Sequence, residues 1–152
     1  LVVLHVAAGC RASAVEPRIP PPASAGGWEA VALDTLAGRS WILSEWDGGE
    51  AASTEARVTL RYGDGRFTGR SGCNRYNAPV TAAPERGAMS VGAVAGTRMM
   101  CPEPAAGIEA RFLAALARAQ SVRMRNGRLG ITYVGPKGTA MLVFDETRAV
   151  AS

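Results

Sequence analysis

Apolar residues alternate with polar ones along several short segments, which is the pattern of β-strands with one buried face. Residues 56–62 show it most clearly, because Val58, Leu60 and Tyr62 alternate with arginine and threonine. Similar strands are predicted at residues 40–46, 66–70, 77–81, 88–91, 122–124, 129–133 and 140–144. Turn residues separate these segments, and Asn126–Gly127 is a strong signal for a two-residue hairpin.

One segment, residues 105–119, has the periodicity of a helix instead. Ile108, Phe112 and Leu116 recur every fourth residue, and Pro104 suits the first turn. The short connections between strands are all hairpins. We therefore predict an α+β fold in which a largely antiparallel sheet of about seven short strands curls into a partial barrel packed with one helix.

The N-terminal residues have a different composition. Residues 1–8 are apolar apart from His5, and they lead into Ala7-Ala8-Gly9-Cys10, as at the end of a secretory signal peptide. A cysteine directly after small residues resembles a bacterial lipobox, in which the sulfur of Cys10 takes a diacylglycerol and the chain is cut before it. The alternative is an ordinary signal peptide followed by an unmodified cysteine. Residues 10–27 are rich in proline and alanine, which favours a tether spanning roughly 50 Å at about 3.1 Å per residue.

The chain thus divides into four parts. We expect residues 1–9 to be the end of a signal peptide whose start precedes Leu1, residues 10–27 a lipid-anchored tether, residues 28–147 the folded domain, and residues 148–152 a C-terminal tail. Arg11 follows the cysteine. By resemblance to lipoproteins of Gram-negative bacteria, a residue other than Asp there indicates the outer membrane, so we expect the domain on its periplasmic face.

Composition excludes several classes of function. The 152 residues carry a formal charge of +4, and their arginines form no stripe with interleaved aromatics, so nucleic-acid binding is not expected. The single histidine, His5, lies in the segment expected to be removed, which excludes Ser-His and Cys-His pairs and imidazole zinc sites. No acid/base pair or calcium loop is recognisable. We expect a monomer with no enzymatic activity, no cofactor and no metal site.

Cys73 and Cys101 are the only cysteines of the expected folded domain. An oxidising compartment favours a disulfide between them. It would close a loop of about 29 residues and stabilise the domain by about 3.6 kcal/mol on the chain-entropy estimate. Two alternatives are buried free thiols and a redox pair, although redox pairs are usually close in sequence.

Four polar residues flank the two cysteines, and a disulfide would bring them together. Asn74, Arg75, Thr97 and Arg98 are a candidate binding patch for a ligand or partner. The alternative is structural: Asn74 and Thr97 would satisfy turn backbone, and the arginines would lie over the sheet. The adjacent Met99–Met100 pair is predicted to fill the core rather than to bind a soft metal.

Five stretches together resemble the META domain, the family of the bacterial heat-shock protein HslJ. They are LAGRSWIL at residues 36–43, GRFTGRSGCNRYNAPVT at 65–81, GTRMMCPEP at 96–104, FLAAL at 112–116 and LVF at 142–144. The resemblance covers about residues 33–146, and the GCN and T-R-M-x-C motifs make it specific. It links the chain to heat-shock response and novobiocin resistance, and it supplies no catalytic residues.

The leading hypothesis is therefore a non-enzymatic lipoprotein of the cell envelope that binds a protein or envelope component, in envelope stress response or novobiocin-type antibiotic tolerance. One alternative is a carrier of a small apolar ligand, in a chamber lined by Val58, Leu60, Ile131 and Val143. Another is an inhibitor of a periplasmic enzyme, which would act through an exposed loop such as residues 82–87.

Overall fold

The structure, a computed structural model, describes residues 27–148. The predicted signal peptide, Cys10, almost all of the tether and most of the C-terminal tail lie outside the described residues. Short 3₁₀ turns occur at Leu33–Leu36 and Asp47–Gly49. The main elements are β1 (Glu29–Ala30), β2 (Ser40–Glu45), β3 (Thr59–Gly63), β4 (Arg66–Arg70), β5 (Arg75–Ala82), β6 (Met89–Val91), β7 (Ala95–Gly96), α1 (Ala105–Leu116), β8 (Ala119–Arg125), β9 (Arg128–Gly135) and β10 (Gly138–Thr147).

The predicted fold class is confirmed: a curled antiparallel sheet packs with one helix. The predicted count of about seven strands is wrong, since the described residues form ten. Strands β1 and β7 are two residues long, which is too short for an alternating pattern to appear in the sequence. Among residues 27–148, none of the helices combines the length and the apolar character that crossing a bilayer requires.

The strands form one sheet in the order β1-β8-β9-β10-β2-β3-β4-β5-β6, and β7 pairs with β5. All of these pairings are antiparallel. Hairpins join β3 through β6 on one side and β8 through β10 on the other. Strand β2 lies between the two sets of hairpins, paired with β3 on one side and with β10 on the other. The β2–β10 pairing therefore joins the N-terminal and C-terminal parts of the folded domain.

The sheet curls until its two ends meet. An isolated bridge pairs Ala88 with Ser121, and the backbone N–H of Val122 donates to the carbonyl of Gly87 at 2.8 Å. Gly87 has φ of +80°, and a Cβ there would lie 2.7 Å from the carbonyl oxygen of Val122. Glycine therefore permits this close approach, which completes the partial barrel.

Two hairpin turns follow directly from the sequence. Asn126 and Gly127 have φ of 50° and 76°, and Asp64 and Gly65 have φ of 51° and 70°. Positive φ at both central residues is the type I′ geometry, which matches the twist of the flanking strands. The hairpin predicted at Asn126–Gly127 is confirmed, with β8 and β9 paired on either side.

The core fills the barrel and is covered by α1. Trp41, Phe67, Phe112 and Phe144 are fully buried. Phe112 projects from the helix to meet Tyr76 edge-on, with ring centroids 5.2 Å apart. The helix ends at Leu116, three residues before the predicted end, because Ala119 already begins β8.

The residues assigned to an apolar ligand chamber do not line a common space. Val58, Leu60 and Ile131 belong to the packed core, whereas Val143 is buried outside that cluster. On β10 it alternates with Leu142 and Phe144, which face the core. The interior of the sheet is therefore occupied by side chains of the protein.

Candidate functional site

The two cysteine motifs meet at the N-terminal half of α1. Cys73 lies in the turn between β4 and β5, and Cys101 follows the irregular segment after β7. The two are joined in a disulfide, with sulfurs 2.09 Å apart and Cα atoms 6.1 Å apart. The segment between β7 and Cys101, residues 97–100, is called the 97–100 loop below.

Asn74 connects the two motifs through its side chain, which is 4 % exposed. Its Oδ1 accepts the backbone N–H of Met99 at 2.7 Å and the hydroxyl of Thr97 at 3.0 Å. Its Nδ2 donates to the carbonyl of Met99 at 3.1 Å and to Glu109 Oε1 at 2.9 Å, and it lies 3.5 Å from Cys101 Sγ. The side-chain amide of Asn74 therefore binds both the N–H and the C=O of Met99, and in this way it holds the 97–100 loop.

Glu109 anchors this cluster to the helix. Its Oε2 accepts the hydroxyl of Ser71 at 2.7 Å and the backbone N–H of Asn74 at 2.9 Å. Burial opposes ionisation of Glu109. Hydrogen bonds from the side chains of Asn74 and Ser71 and from the backbone of Asn74 and Cys73 outweigh that effect, so the pKa of Glu109 lies below its usual value. The carboxylate is thus ionised at neutral pH.

Glu109 is not among the site residues that the sequence predicted. The available signal is its position four residues after Ala105, the first residue of α1. Residues four apart lie on the same side of a helix. In the structure the backbone of Ala105 lies against Gly72, where a Cβ would approach its carbonyl oxygen to 3.2 Å. Glu109 follows on that side and reaches the turn.

The four residues of the predicted patch separate into two kinds. Asn74 and Thr97 hold the backbone, since Thr97 Oγ1 also accepts the N–H of Arg75 at 3.0 Å. Arg75 and Arg98 are exposed and have no ion pair with a described residue. Arg70 lies directly opposite Arg75 across the β4–β5 pairing. The disulfide region thus presents three arginines on a polar framework.

The prediction that Met99 and Met100 fill the core is wrong. Their side chains are 59 % and 100 % exposed. Strand β7 ends at Gly96, so both methionines lie in an irregular segment outside the sheet. The loop therefore presents two apolar side chains and Arg98 to solvent.

Within residues 27–148, no group of three or more His, Cys, Asp or Glu side chains could hold a metal ion. Ser71 and Glu109 have the spacing of a nucleophile and base, but Ser71 is 0 % exposed and substrate could not reach it. What the site offers chemically is a fixed, exposed surface of apolar and cationic groups.

The sequence profile of the META domain matches residues 34–148 of this chain, which is more than half of its length. Among proteins of curated function, none matches.

Two solved structures are similar. The NMR structure of a protein from Burkholderia xenovorans has 29 % identity and a TM-score of 0.58, over 95 % of this chain and 100 % of that one. A second NMR structure of a protein has 22 % identity and a TM-score of 0.56, over 76 % of this chain and 94 % of that one. The second likeness supports the fold alone.

Proposed function

The chain belongs to the META domain family, and from this premise we propose that it is a non-catalytic, lipid-anchored protein of the cell envelope. In this proposal it binds a protein or another envelope component through the 97–100 loop and the neighbouring arginines. The anchor would be Cys10, and the domain would lie at the periplasmic face of the outer membrane. The role in stress response or in tolerance of novobiocin-type antibiotics is carried by the family resemblance.

The exposure of Met99 and Met100 is the observation that carries the binding proposal. Large apolar side chains on a surface often mark interaction sites, and methionine adapts to the shape of a partner. Asn74 and the disulfide hold the loop in place before binding. A loop fixed in advance loses less conformational entropy when a partner docks.

The positive charge of this surface indicates what kind of partner it would bind. Arg70 and Arg75 face each other across two strands, and like charges in that position destabilise a sheet. An acidic partner would relieve this repulsion, and Arg98 adds a third positive charge on the loop. We infer that the partner offers an apolar depression rimmed by acidic groups.

The absence of a usable catalytic set among the described residues supports a binding role. They contain no histidine, and the Ser71–Glu109 pair is closed to solvent on the Ser71 side. The one proton of the Ser71 hydroxyl lies between two acceptors, Glu109 Oε2 at 2.7 Å and the carbonyl of Asn74 at 3.0 Å. The polar cluster is accounted for by the hydrogen bonds that hold the loop.

Site-specific photocrosslinking in the native host tests the binding surface. A crosslinking residue placed at Met100 should give a discrete adduct, and the same residue at Val134 should not. Val134 is the matched control because it is the third exposed large apolar side chain of the described residues, at 41 %. Replacing Arg75 and Arg98 with Gln should reduce the adduct at Met100. Equal adducts at both positions, or none at Met100, would contradict the proposal.

The anchor is tested separately by the intact mass of the protein from its own host. We expect the mass of an acylated diacylglycerol on Cys10 and its loss in a Cys10→Ser variant. A processed chain without the added mass would contradict the lipid anchor, and it would not affect the crosslinking test of the binding surface.

A further inference from the structure

A concave site lies along the C-terminal half of α1, away from the disulfide end of that helix. The cleft runs between α1 and the β9–β10 hairpin and has a volume of about 830 Å³. Clefts of roughly 300–1,000 Å³ are the size that holds small molecules. Neither the 97–100 loop nor the disulfide lines it.

The floor of the cleft is apolar and made of small side chains. Ala114 on α1 and Ala117 directly after its end are exposed, and Val134 on β9 is 41 % exposed. Ala140 and Pro136 continue this surface on the hairpin. Because the alanines project little, the floor is open to a flat or extended apolar body.

Three hydrogen-bond donors line the same cleft without a partner among the described residues. They are the hydroxyl of Tyr133, the guanidinium of Arg118 and the ammonium of Lys137. Burial raises the pKa of Tyr133, and the nearby Asp47 carboxylate raises it further, so the phenol stays a donor at neutral pH. The donors are therefore available to an anionic group.

The other two charged groups of the lining are already engaged. Arg111 forms a two-bond ion pair with Glu50 at 2.8 and 3.0 Å and stacks over Trp46 at 4.1 Å. Asp47, the single carboxylate of the lining, accepts the backbone N–H of Met141 at 3.3 Å. With Arg111 paired to Glu50, Arg118 and Lys137 carry two positive charges against the one negative charge of Asp47, which leaves a net positive charge beside the apolar floor.

We propose that this cleft binds a small amphipathic carboxylate, with its apolar body on the alanine floor and its carboxylate at Lys137, Arg118 and the Tyr133 hydroxyl. Two cations beside an apolar surface complement such a molecule in both charge and polarity. The proposal is independent of the partner assigned to the 97–100 loop.

Titration of the full-length protein with decanoate tests this site, with binding followed by NMR chemical shifts of the folded domain. Decanol is the matched probe because it has the same chain without the charge. Decanoate should bind saturably at one site, with the largest shift changes at Ala114, Ala117, Val134 and Lys137. Decanol should bind at least tenfold more weakly.

Two variants separate the cleft from general surface binding. Arg118→Gln with Lys137→Gln should weaken decanoate binding tenfold or more. Arg57→Gln with Arg61→Gln removes the same charge from exposed positions outside the cleft and should change decanoate binding less than twofold. Ala114→Phe should block the floor and abolish binding of both probes. Ala114 is exposed, so the unfolding midpoint should be unchanged. No saturable binding, or binding that survives both cleft variants, would overturn the proposal.

Discussion

Asn74 fixes the paths of two loops with one amide group. Its oxygen and nitrogen together contact Met99, Thr97, Glu109 and Cys101. No shorter or apolar side chain could both accept and donate at these points. The position therefore contributes structure to the loop, and the exposed residues beside it contribute the surface.

Replacing Asn74 should destabilise the folded domain. Asn74→Ala leaves the N–H of Met99 without its partner and removes one hydrogen bond from the half-buried Glu109 carboxylate, so we expect a loss of about 2–4 kcal/mol in the free energy of unfolding. Urea denaturation measures it. Asn77→Ala is the control, since Asn77 makes one exposed hydrogen bond, to Arg66, and should cost under about 1 kcal/mol. Similar losses in the two variants would contradict the role of Asn74.

Glu109 should make stability depend on pH. Its pKa is lowered in the folded state, so the stabilisation is present above its unfolded pKa of about 4.3 and is lost as pH falls through the lower folded value. Glu109→Gln should therefore be less stable than the parent at pH 7, and the difference should shrink towards pH 3.

Urea unfolding at pH 7, 5 and 3 measures this difference. Glu55→Gln serves as the control, because the carboxylate of Glu55 has no hydrogen bond or ion pair with a described residue. A gap between Glu109→Gln and the parent that stays constant across this range would argue against the ionised cluster.

At the residue scale, the sequence indicated some roles and concealed others. A structural role for Asn74 and Thr97 could be predicted, because short polar side chains beside glycine commonly satisfy turn backbone. The exposure of Met99 and Met100 could not be predicted, since hydrophobicity alone indicates burial. The spacing of Glu109 from Ala105 indicates its side of α1, but its contact depends on how α1 docks against the β4–β5 turn.

Strand β4 requires glycine at residue 69, because a side chain there has no space. A Cβ at Gly69 would lie 2.2 Å from the carbonyl oxygen of Thr59. Tyr76, directly opposite Gly69 on β5, donates its hydroxyl to that same oxygen at 2.8 Å. The missing side chain leaves room for this buried hydrogen bond between β5 and β3.

Gly69→Ala should consequently destabilise the domain by several kcal/mol, about 3 or more, because the clash is with backbone and cannot be relieved by a rotamer change. Gly63→Ala is a matched control at the end of β3, where an added Cβ meets nothing within 4 Å. Thermal unfolding of both variants measures the effect. Equal melting temperatures would show that the β3–β4 pairing adapts freely.

At the element scale, turns and the helix were predictable because their signals are local. Asn126–Gly127 specifies its own backbone angles, and the stripe from Ile108 to Leu116 identifies α1. Strands β1 and β7 were missed because their pairing with β8 and β5 is determined by distant partners.

At the scale of the whole molecule, the disulfide links the β4–β5 turn to the segment that leads into α1. It spans 28 positions of sequence. The Cys73→Ser, Cys101→Ser double variant should lose about 3–4 kcal/mol in the free energy of unfolding, because the unfolded chain regains the entropy of an open loop.

Chemical denaturation of the oxidised parent, the reduced parent and the double variant checks this expectation. The last two should agree, since both have an open loop. A loss under about 1 kcal/mol in the double variant would mean that Asn74 and Glu109 hold the loop without help from the covalent bond.

The curled antiparallel sheet as a whole could be anticipated from the succession of hairpins. Its closure could not, because the contact of Gly87 with Val122 joins residues 35 positions apart and depends on the accumulated twist of the intervening strands.

The outermost strands of the sheet, β1 and β6, are two and three residues long. A long, flat edge exposes a row of backbone donors and acceptors on which a second copy can extend the sheet, and short edge strands withhold that template. The proposed lipid anchor would concentrate the protein on a membrane, where its copies would meet often. With its sheet ended in this way, the domain should remain dispersed under such crowding and should not polymerise edge to edge.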